Sequence, residues 1–144
     1  MAKSKIVAAI DIGSNSIVLL VARCHANGLV EPINEVFAIT KLGRELSKTE
    51  LLADDAMRNT IAAAKEMRMI ADHDGAEDIV VVATHAVRYA NNRSEFLVNC
   101  HREIGVFPQV LSGKEEAKFT YLGASSDIPE NKDVLDKIPE SQHQ

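Results

Sequence analysis

Residues 6–16 carry the sequence IVAAIDIGSNS, and this stretch decides both the predicted fold and the first candidate site. Its apolar beginning predicts a strand over residues 5–11 that is buried on both faces. Residues 13–15 follow with the residue types of a tight turn. The strand would therefore deliver the carboxylate of Asp11 to the sheet edge, beside the free backbone N–H groups of the turn.

This segment has two interpretations. A nest of backbone N–H groups can cradle phosphate oxygens, and an aspartate beside it can hold Mg²⁺ directly or through water. The alternative is an ordinary hairpin turn, for which Gly-Ser-Asn is a common sequence. Because a carboxylate that ends a buried apolar strand needs a partner, Asp11 favours the binding site.

Hydrophobic period and turn signals predict the other elements. Further strands are expected over residues 16–24, 29–40, 79–83 and 108–111, and helices over residues 54–73, 92–104 and 112–124. Asn27-Gly28 is a hairpin turn signal, and Pro32 early in the third strand predicts an edge position. Asn92 is the candidate cap of the second helix.

The order of elements is β-β-β-α-β-α-β-α, which predicts an α/β fold with a mixed five-stranded sheet and flanking helices. It is also the unit of the ribonuclease-H-like, or actin-like ATPase, fold, in which two such lobes face each other across a nucleotide or phosphate cleft. We expect residues 1–126 to form one lobe. Residues 127–144 lack an apolar period and are expected to form a disordered or truncated tail.

Composition excludes several classes of function. The net charge of −5 argues against sequence-independent binding of nucleic acid, which needs a basic face. The two cysteines and five histidines have no zinc-like spacing, so the thiols indicate a cytoplasmic protein without a zinc site. No apolar stretch is long enough to span a bilayer, so no membrane association is expected.

Two later segments also carry candidate residues. Residues 83–88, ATHAVR, follow the predicted strand 79–83, and ligands of open α/β sheets bind beyond the carboxyl ends of strands. Arg88 could hold a phosphate there with two hydrogen bonds, or could be a loop arginine paired with a surface carboxylate. His85 is more typical of a packed turn residue than of a catalyst.

Residues 111–117 read LSGKEEA. Ser112 and Glu115 have the spacing of a capping box, which gives both residues a structural role. Glu116 lies one step further round the helix and could point into a cleft. Its alternative is a solvated first-turn glutamate that the helix dipole favours.

In order along the chain, four segments resemble the exopolyphosphatase / guanosine pentaphosphate phosphatase family. Residues 9–16 resemble its phosphate loop, and Lys41-Leu42-Gly43 with Leu46 resembles the segment before its first helix. Residues 83–88 resemble its Thr-x-Ala-x-Arg segment, and residues 112–117 resemble its Ser-Gly-x-Glu-Glu-Ala signature. The resemblance runs from about residue 6 to residue 123.

The resemblance implies hydrolysis of the terminal phosphate of inorganic polyphosphate, or of the 5′ phosphate of guanosine pentaphosphate, with Mg²⁺. It implies that Glu116 is the base that orients or deprotonates the attacking water. It implies that Asp11 lies at the metal and that Arg88 binds phosphate. The residues that it implies for the phosphate cradle are Gly13, Ser14, Asn15 and Ser16.

One departure from the family pattern bears on activity. The family places a second loop, Asp-x-Gly-Gly-Gly-Ser, soon after the glutamate helix, and residues 132–141 lack its glycines. We therefore expect little turnover from this chain alone, with a homodimer or a missing C-terminal lobe as its partner. The open alternatives are a kinase-like nucleotide-binding member of the actin-like superfamily and a non-catalytic interaction domain.

Overall fold

The computed structural model describes residues 3–115 of the chain. Its strands are β1 (Ser4–Ile12), β2 (Ser16–His25), β3 (Val30–Ile39), β4 (Asp78–Ala83) and β5 (Gln109–Val110). Its helices are α1 (Leu46–Thr49), α2 (Asp54–His73), α3 (His85–Tyr89) and α4 (Arg93–Ile104). The predicted last helix beyond residue 115 and the predicted tail, residues 127–144, lie outside the described residues.

The strands form one mixed sheet of five in the order β3-β2-β1-β4-β5. The first three pair antiparallel, whereas β4 lies parallel to β1 and β5 parallel to β4. The predicted mixed sheet is therefore confirmed. Pro32 lies on the edge strand β3 as expected, and the β2–β3 register shifts beside its partner, between Val21 and Ala22.

The core lies between one face of the sheet and the two long helices. Alternate residues of β1 and β2 turn the same way and are fully buried, and they pack with α2 and α4. The predicted stripe of α2 is confirmed for Met57, Ala64, Met67 and Ala71, but Ile61 is only half-buried. Thr60 takes the buried place instead, because its hydroxyl donates to the Ala56 carbonyl at 2.7 Å.

Two short helices, α1 and α3, were not predicted. His85 and Arg88 therefore lie on a helix rather than in a loop. A second correction concerns Asn92, which precedes α4 but makes no capping hydrogen bond with its side chain. Its amide instead accepts from the backbone N–H of Leu52 at 2.9 Å and donates to the Leu52 carbonyl at 3.0 Å.

Among residues 3–115, no helix combines the length and the apolar character that crossing a bilayer requires. The longest helix, α2, has 20 residues, but charged side chains interrupt it throughout.

Candidate phosphate site

The turn of residues 13–16, here called the phosphate turn, joins the two central strands β1 and β2. Its closing hydrogen bond runs from the Gly13 N–H to the Ser16 carbonyl at 2.9 Å. On either side Ile12 pairs with Ile17, and both are buried in the core. The turn therefore stands on strand ends that are paired and buried in the core.

Asp11 lies on the sheet face opposite to Ile10 and Ile12, because neighbouring residues of a strand alternate. Ile10 and Ile12 are buried, whereas Asp11 is exposed. The premise that this carboxylate is buried is therefore wrong. An exposed carboxylate beside the phosphate turn is nevertheless accessible to a hydrated cation.

The candidate segments meet at the end of the sheet where the parallel strands β1, β4 and β5 have their carboxyl ends. Ile12 at the end of β1 pairs with Ala83 at the end of β4, and Ala83 pairs with Val110 of β5. Thr84 fixes this junction, since its N–H and its hydroxyl both donate to the Ile12 carbonyl, at 3.1 and 3.3 Å. Residues 13–16, 84–88 and 111–115 thus leave the sheet side by side.

Arg88 lies on α3, and its side chain extends towards residues 111–115. Its Nη1 donates to the Leu111 carbonyl at 2.5 Å, and its guanidinium lies over the Tyr89 ring at 5.1 Å from the centroid. The side chain is half-buried. These contacts position the guanidinium at the carboxyl ends of the parallel strands.

The predicted capping box is confirmed at the start of the last segment. The Ser112 N–H donates to Oε1 of Glu115 at 3.0 Å, and the Glu115 N–H donates to Oγ of Ser112 at 3.1 Å. These hydrogen bonds from Ser112 lower the pKa of the Glu115 carboxyl. Glu116, the candidate base, lies outside the described residues.

A second segment, residues 40–50, lies against the phosphate turn and is here called the wall. The N–H groups of Thr40 and Lys41 both donate to the Asn15 carbonyl at 3.0 Å, and the Gly43 N–H donates to the Ser14 carbonyl at 2.8 Å. Gly43 must be small, because a Cβ there would stand 3.1 Å from the Cβ of Ser14.

The phosphate turn, the wall and α3 enclose a cavity of about 1000 Å³. Its lining residues are Ser14, Asn15, Lys41, Gly43, Arg44, Leu46, Ser47, Glu50, His85 and Tyr89. Of these lining residues, only Ser14 and Asn15 were among the binding residues predicted from the sequence. Lys41 and Gly43 belong to a motif that it noted, but nothing in that motif shows that the wall folds back onto the turn.

Two features of the cavity suit an anion. The side-chain oxygens of Ser14 and Thr40 are buried and have no hydrogen-bond partner among residues 3–115, so a bound phosphate oxygen could satisfy the Ser14 hydroxyl. Lys41 and Arg44 supply positive charge. Arg44 is held by Asp55, with Nη2 and Oδ1 2.6 Å apart, and this pairing lowers the pKa of the Asp55 carboxyl.

His85 contributes no charge to the cavity at neutral pH. Burial and, to a lesser degree, the neighbouring Arg88 lower the pKa of its imidazole below 6.5. Its ring meets the Tyr89 ring edge-on, with centroids 4.8 Å apart. This packing agrees with the expectation that His85 is a packed residue rather than a catalyst.

Within residues 3–115 no group of three or more His, Cys, Asp or Glu side chains could hold a metal ion by itself. Mg²⁺ does not need such a group, because it is usually bound through one or two carboxylates together with waters and substrate phosphates. Asp11, exposed beside the phosphate turn, fits that mode of binding. Cys24 and Cys100 are far from any such set, and burial raises the pKa of the Cys100 thiol to about 12.

The fold assigns the protein to a class before any relative is considered. A mixed sheet of order β3-β2-β1-β4-β5, with a tight turn between β1 and β2, is the ribonuclease-H-like lobe of actin-like proteins. The family model described as the Ppx/GppA phosphatase family matches residues 20–136. The chain belongs to the Ppx/GppA phosphatase family.

Individual relatives agree with this assignment. The chain is 30% identical to exopolyphosphatase 1 of Mycobacterium bovis over 78% of its own length and 33% of that protein. It is also 30% identical to the bifunctional 3-dehydroquinate synthase/phosphatase of Fusobacterium nucleatum, over 91% of its length and 20% of that protein. The Aquifex aeolicus Ppx/GppA family crystal structure matches with a TM-score of 0.81 and 33% identity, over 90% of this chain and 42% of that one.

The chain thus spans about a third of the first of these curated relatives and less than half of the solved structure.

Proposed function

We propose that this chain supplies one side of a phosphoanhydride hydrolase site, which releases terminal phosphate from inorganic polyphosphate or from guanosine pentaphosphate. The observation that carries the proposal is the meeting of the phosphate turn with α3 and residues 111–115 at one sheet edge. Membership of a phosphatase family supports hydrolysis as the reaction. Because the chain covers a third of its first curated relative, we assign to it only the residues that it contains.

In this proposal the terminal phosphate lies against the phosphate turn of Gly13, Ser14, Asn15 and Ser16. The Gly13 N–H closes the turn by donating to the Ser16 carbonyl, so the backbone N–H groups of Ser14 and Asn15 are the donors to phosphate. The Ser14 hydroxyl, buried and without a partner among the described residues, donates to a phosphate oxygen. Arg88 stabilises the charge that is spread over the transferred group. Mg²⁺, held at Asp11 through its carboxylate, would supply neutralisation of the phosphate charge.

Glu116 would orient the attacking water and accept its proton. The water oxygen forms a bond to the terminal phosphorus while the bond from that phosphorus to the bridging oxygen breaks. The electron pair of the broken bond stays on the shortened phosphate chain, which leaves. The capping box of Ser112 and Glu115 supports this role because it fixes the first turn of the helix, residues 112–115, directly before Glu116.

The test separates binding from hydrolysis in the intact 144-residue chain. Binding of tripolyphosphate with Mg²⁺ is measured by calorimetry, and phosphate release is measured in parallel. We expect Ser14→Val and Asp11→Asn to weaken binding about tenfold or more, as the loss of a charge-assisted contact does. Glu116→Gln should keep binding and abolish whatever release the chain shows.

Glu103→Gln is the matched control for Glu116→Gln, since Glu103 is exposed on α4 and pairs with Lys65. If the chain binds tripolyphosphate but Glu116→Gln changes nothing, a non-catalytic phosphate-binding domain is the better description. If the chain binds no phosphate compound, the proposed site is wrong. If kinase activity towards a second substrate appears with a nucleotide, the assignment to hydrolysis is wrong.

A further inference from the structure

The wall of residues 40–50 has an unusual backbone. Among residues 3–115 the non-glycine residues with positive φ are Lys41 at 51°, Glu45 at 71° and Glu50 at 59°, and all three lie in this segment. Side chains make this conformation unfavourable, so it persists only where surrounding contacts impose it. Such residues are concentrated at ligand sites in proteins.

At Lys41 the contacts that impose it join the wall to the phosphate turn. The Lys41 N–H donates to the Asn15 carbonyl, and the Gly43 N–H donates to the Ser14 carbonyl. The close approach at Gly43 leaves the wall no room to shift towards the turn. The position of the Lys41 backbone relative to the phosphate turn is therefore fixed by the fold.

The side chain of Lys41 lines the cavity and is exposed. It makes no ion pair within the described part of the chain, whereas the other cavity cation, Arg44, is held by Asp55. Glu50 is the acidic residue among the described cavity-lining residues. An exposed ammonium on a backbone that is fixed beside the phosphate turn suits a phosphate that is linked to the one in the turn.

We propose that Lys41 binds the second phosphate of a linear chain whose terminal phosphate lies in the phosphate turn. Lys41 is then a specificity-determining residue, which selects substrates with two or more linked phosphates over free orthophosphate. This inference rests on the proposed function. It concerns a residue to which the family resemblance gave no role.

The experiment measures dissociation constants of the intact chain for orthophosphate, pyrophosphate and tripolyphosphate, each with Mg²⁺. Lys41→Gln removes the charge and Lys41→Arg keeps it. Lys48→Gln is the matched control, because Lys48 is exposed on α1 seven residues further along and does not line the cavity. Thermal unfolding of each variant shows that it is folded.

We expect Lys41→Gln to weaken the binding of pyrophosphate and tripolyphosphate about tenfold, which is the factor for one charge-assisted hydrogen bond. The binding of orthophosphate should weaken less than twofold. Lys41→Arg should restore most of that loss, and Lys48→Gln should stay within twofold of the wild type for all three. An equal loss for orthophosphate and tripolyphosphate, or an equal loss in Lys48→Gln, would overturn the inference.

The outcomes also separate this inference from the proposed function. If the wild type binds tripolyphosphate and Lys41→Gln binds it equally well, the role of Lys41 is wrong and the phosphate turn remains supported. If the wild type binds none of the three compounds, both are wrong.

Discussion

The phosphate turn and the wall line the same cavity, but the chain builds them in different ways. The turn closes within four residues, between two strands whose neighbouring side chains are buried in the core. The wall lies mostly outside regular structure and includes three non-glycine residues with positive φ angles. Hydrogen bonds to the turn, and one from the Asn91 N–H to the Glu50 carbonyl, hold it in place. A local sequence can specify the turn, whereas the wall depends on tertiary contacts. Substitutions that loosen the wall should therefore spare the turn.

The largest effect is expected from Gly43→Val. A Cβ at residue 43 would stand 3.1 Å from the Cβ of Ser14 and 3.4 Å from that of Ala86, and valine adds two methyl groups. The wall must then move away from the turn. We expect the free energy of unfolding to fall by about 3 kcal/mol, the upper range for overpacking, together with weaker tripolyphosphate binding. Chemical denaturation and calorimetry measure the two effects.

Gly113→Val is the control, because no atom of the described residues lies within 4 Å of a Cβ at residue 113. Its free energy of unfolding should change far less. If Gly43→Val is as stable as the wild type and binds equally well, the wall is not fixed by this contact.

Asn92→Ala tests the far end of the wall. The Asn92 side chain makes two hydrogen bonds to the Leu52 backbone, and the Asn91 N–H donates to the Glu50 carbonyl at 2.8 Å. Alanine leaves both Leu52 groups without these partners. We expect a loss of about 1–2 kcal/mol in thermal unfolding, since these groups are partly buried.

Asn92→Asp is the informative second variant, because aspartate keeps the acceptor for the Leu52 N–H and loses the donor. The stability of Asn92→Asp in thermal unfolding should lie between those of Asn92→Ala and the wild type. Should both variants match the wild type, Asn92 would not secure the wall.

These residues also show what the sequence can and cannot predict. The order of the five strands and the two long helices, the edge position of Pro32 and most of the buried stripe of α2 depend on local periodicity and turn chemistry, and these were predicted correctly. Asn92 looked like a helix cap because its position and residue type are those of a cap. Its amide bonds instead to Leu52, 40 residues away, and no local pattern shows that competition.

The same difference applies within the candidate site. The meeting of residues 13–16, 84–88 and 111–115 was predictable, because parallel strands end at one edge. The exposure of Asp11 was not, since an apolar run that includes small alanines does not show which face is covered. The places of Lys41 and Arg44 in the cavity were missed because the path of the wall, which positive φ angles at Lys41, Glu45 and Glu50 bend back onto the turn, leaves no signal in the sequence.

Glu45→Gly tests the strain in the wall directly. Glu45 has φ 71°, and a left-handed backbone costs a residue with a side chain about 1–2 kcal/mol. Glycine removes that cost but loses about 0.5–1 kcal/mol through the greater freedom of the unfolded chain. We therefore expect a gain of about 0.5 kcal/mol in the free energy of unfolding.

Glu35→Gly is the matched control, because Glu35 is an exposed glutamate in the strand β3, where glycine should destabilise. If both substitutions destabilise equally, the wall stores no strain at residue 45.

The smallest effect concerns His85, which lies on the side of the cavity that belongs to neither the turn nor the wall. Its pKa in the folded chain lies below the ordinary value of 6.5, because of burial and then of Arg88. As pH falls below 6.5, the unfolded chain takes up a proton at this residue before the folded chain does. The folded state therefore loses stability over that interval, down to the lower folded pKa.

His85→Asn removes this titration, so its stability should decline less than that of the wild type between pH 7 and pH 5. Denaturation at several pH values measures the difference in stability, which should become independent of pH above about pH 7.5, where His85 is neutral in both the folded and the unfolded chain. A wild type that gains stability relative to the variant as pH falls would mean that His85 is charged in the folded chain. In that case the positive charge of the cavity would not come from the wall alone, and the contrast between the two regions would need revision.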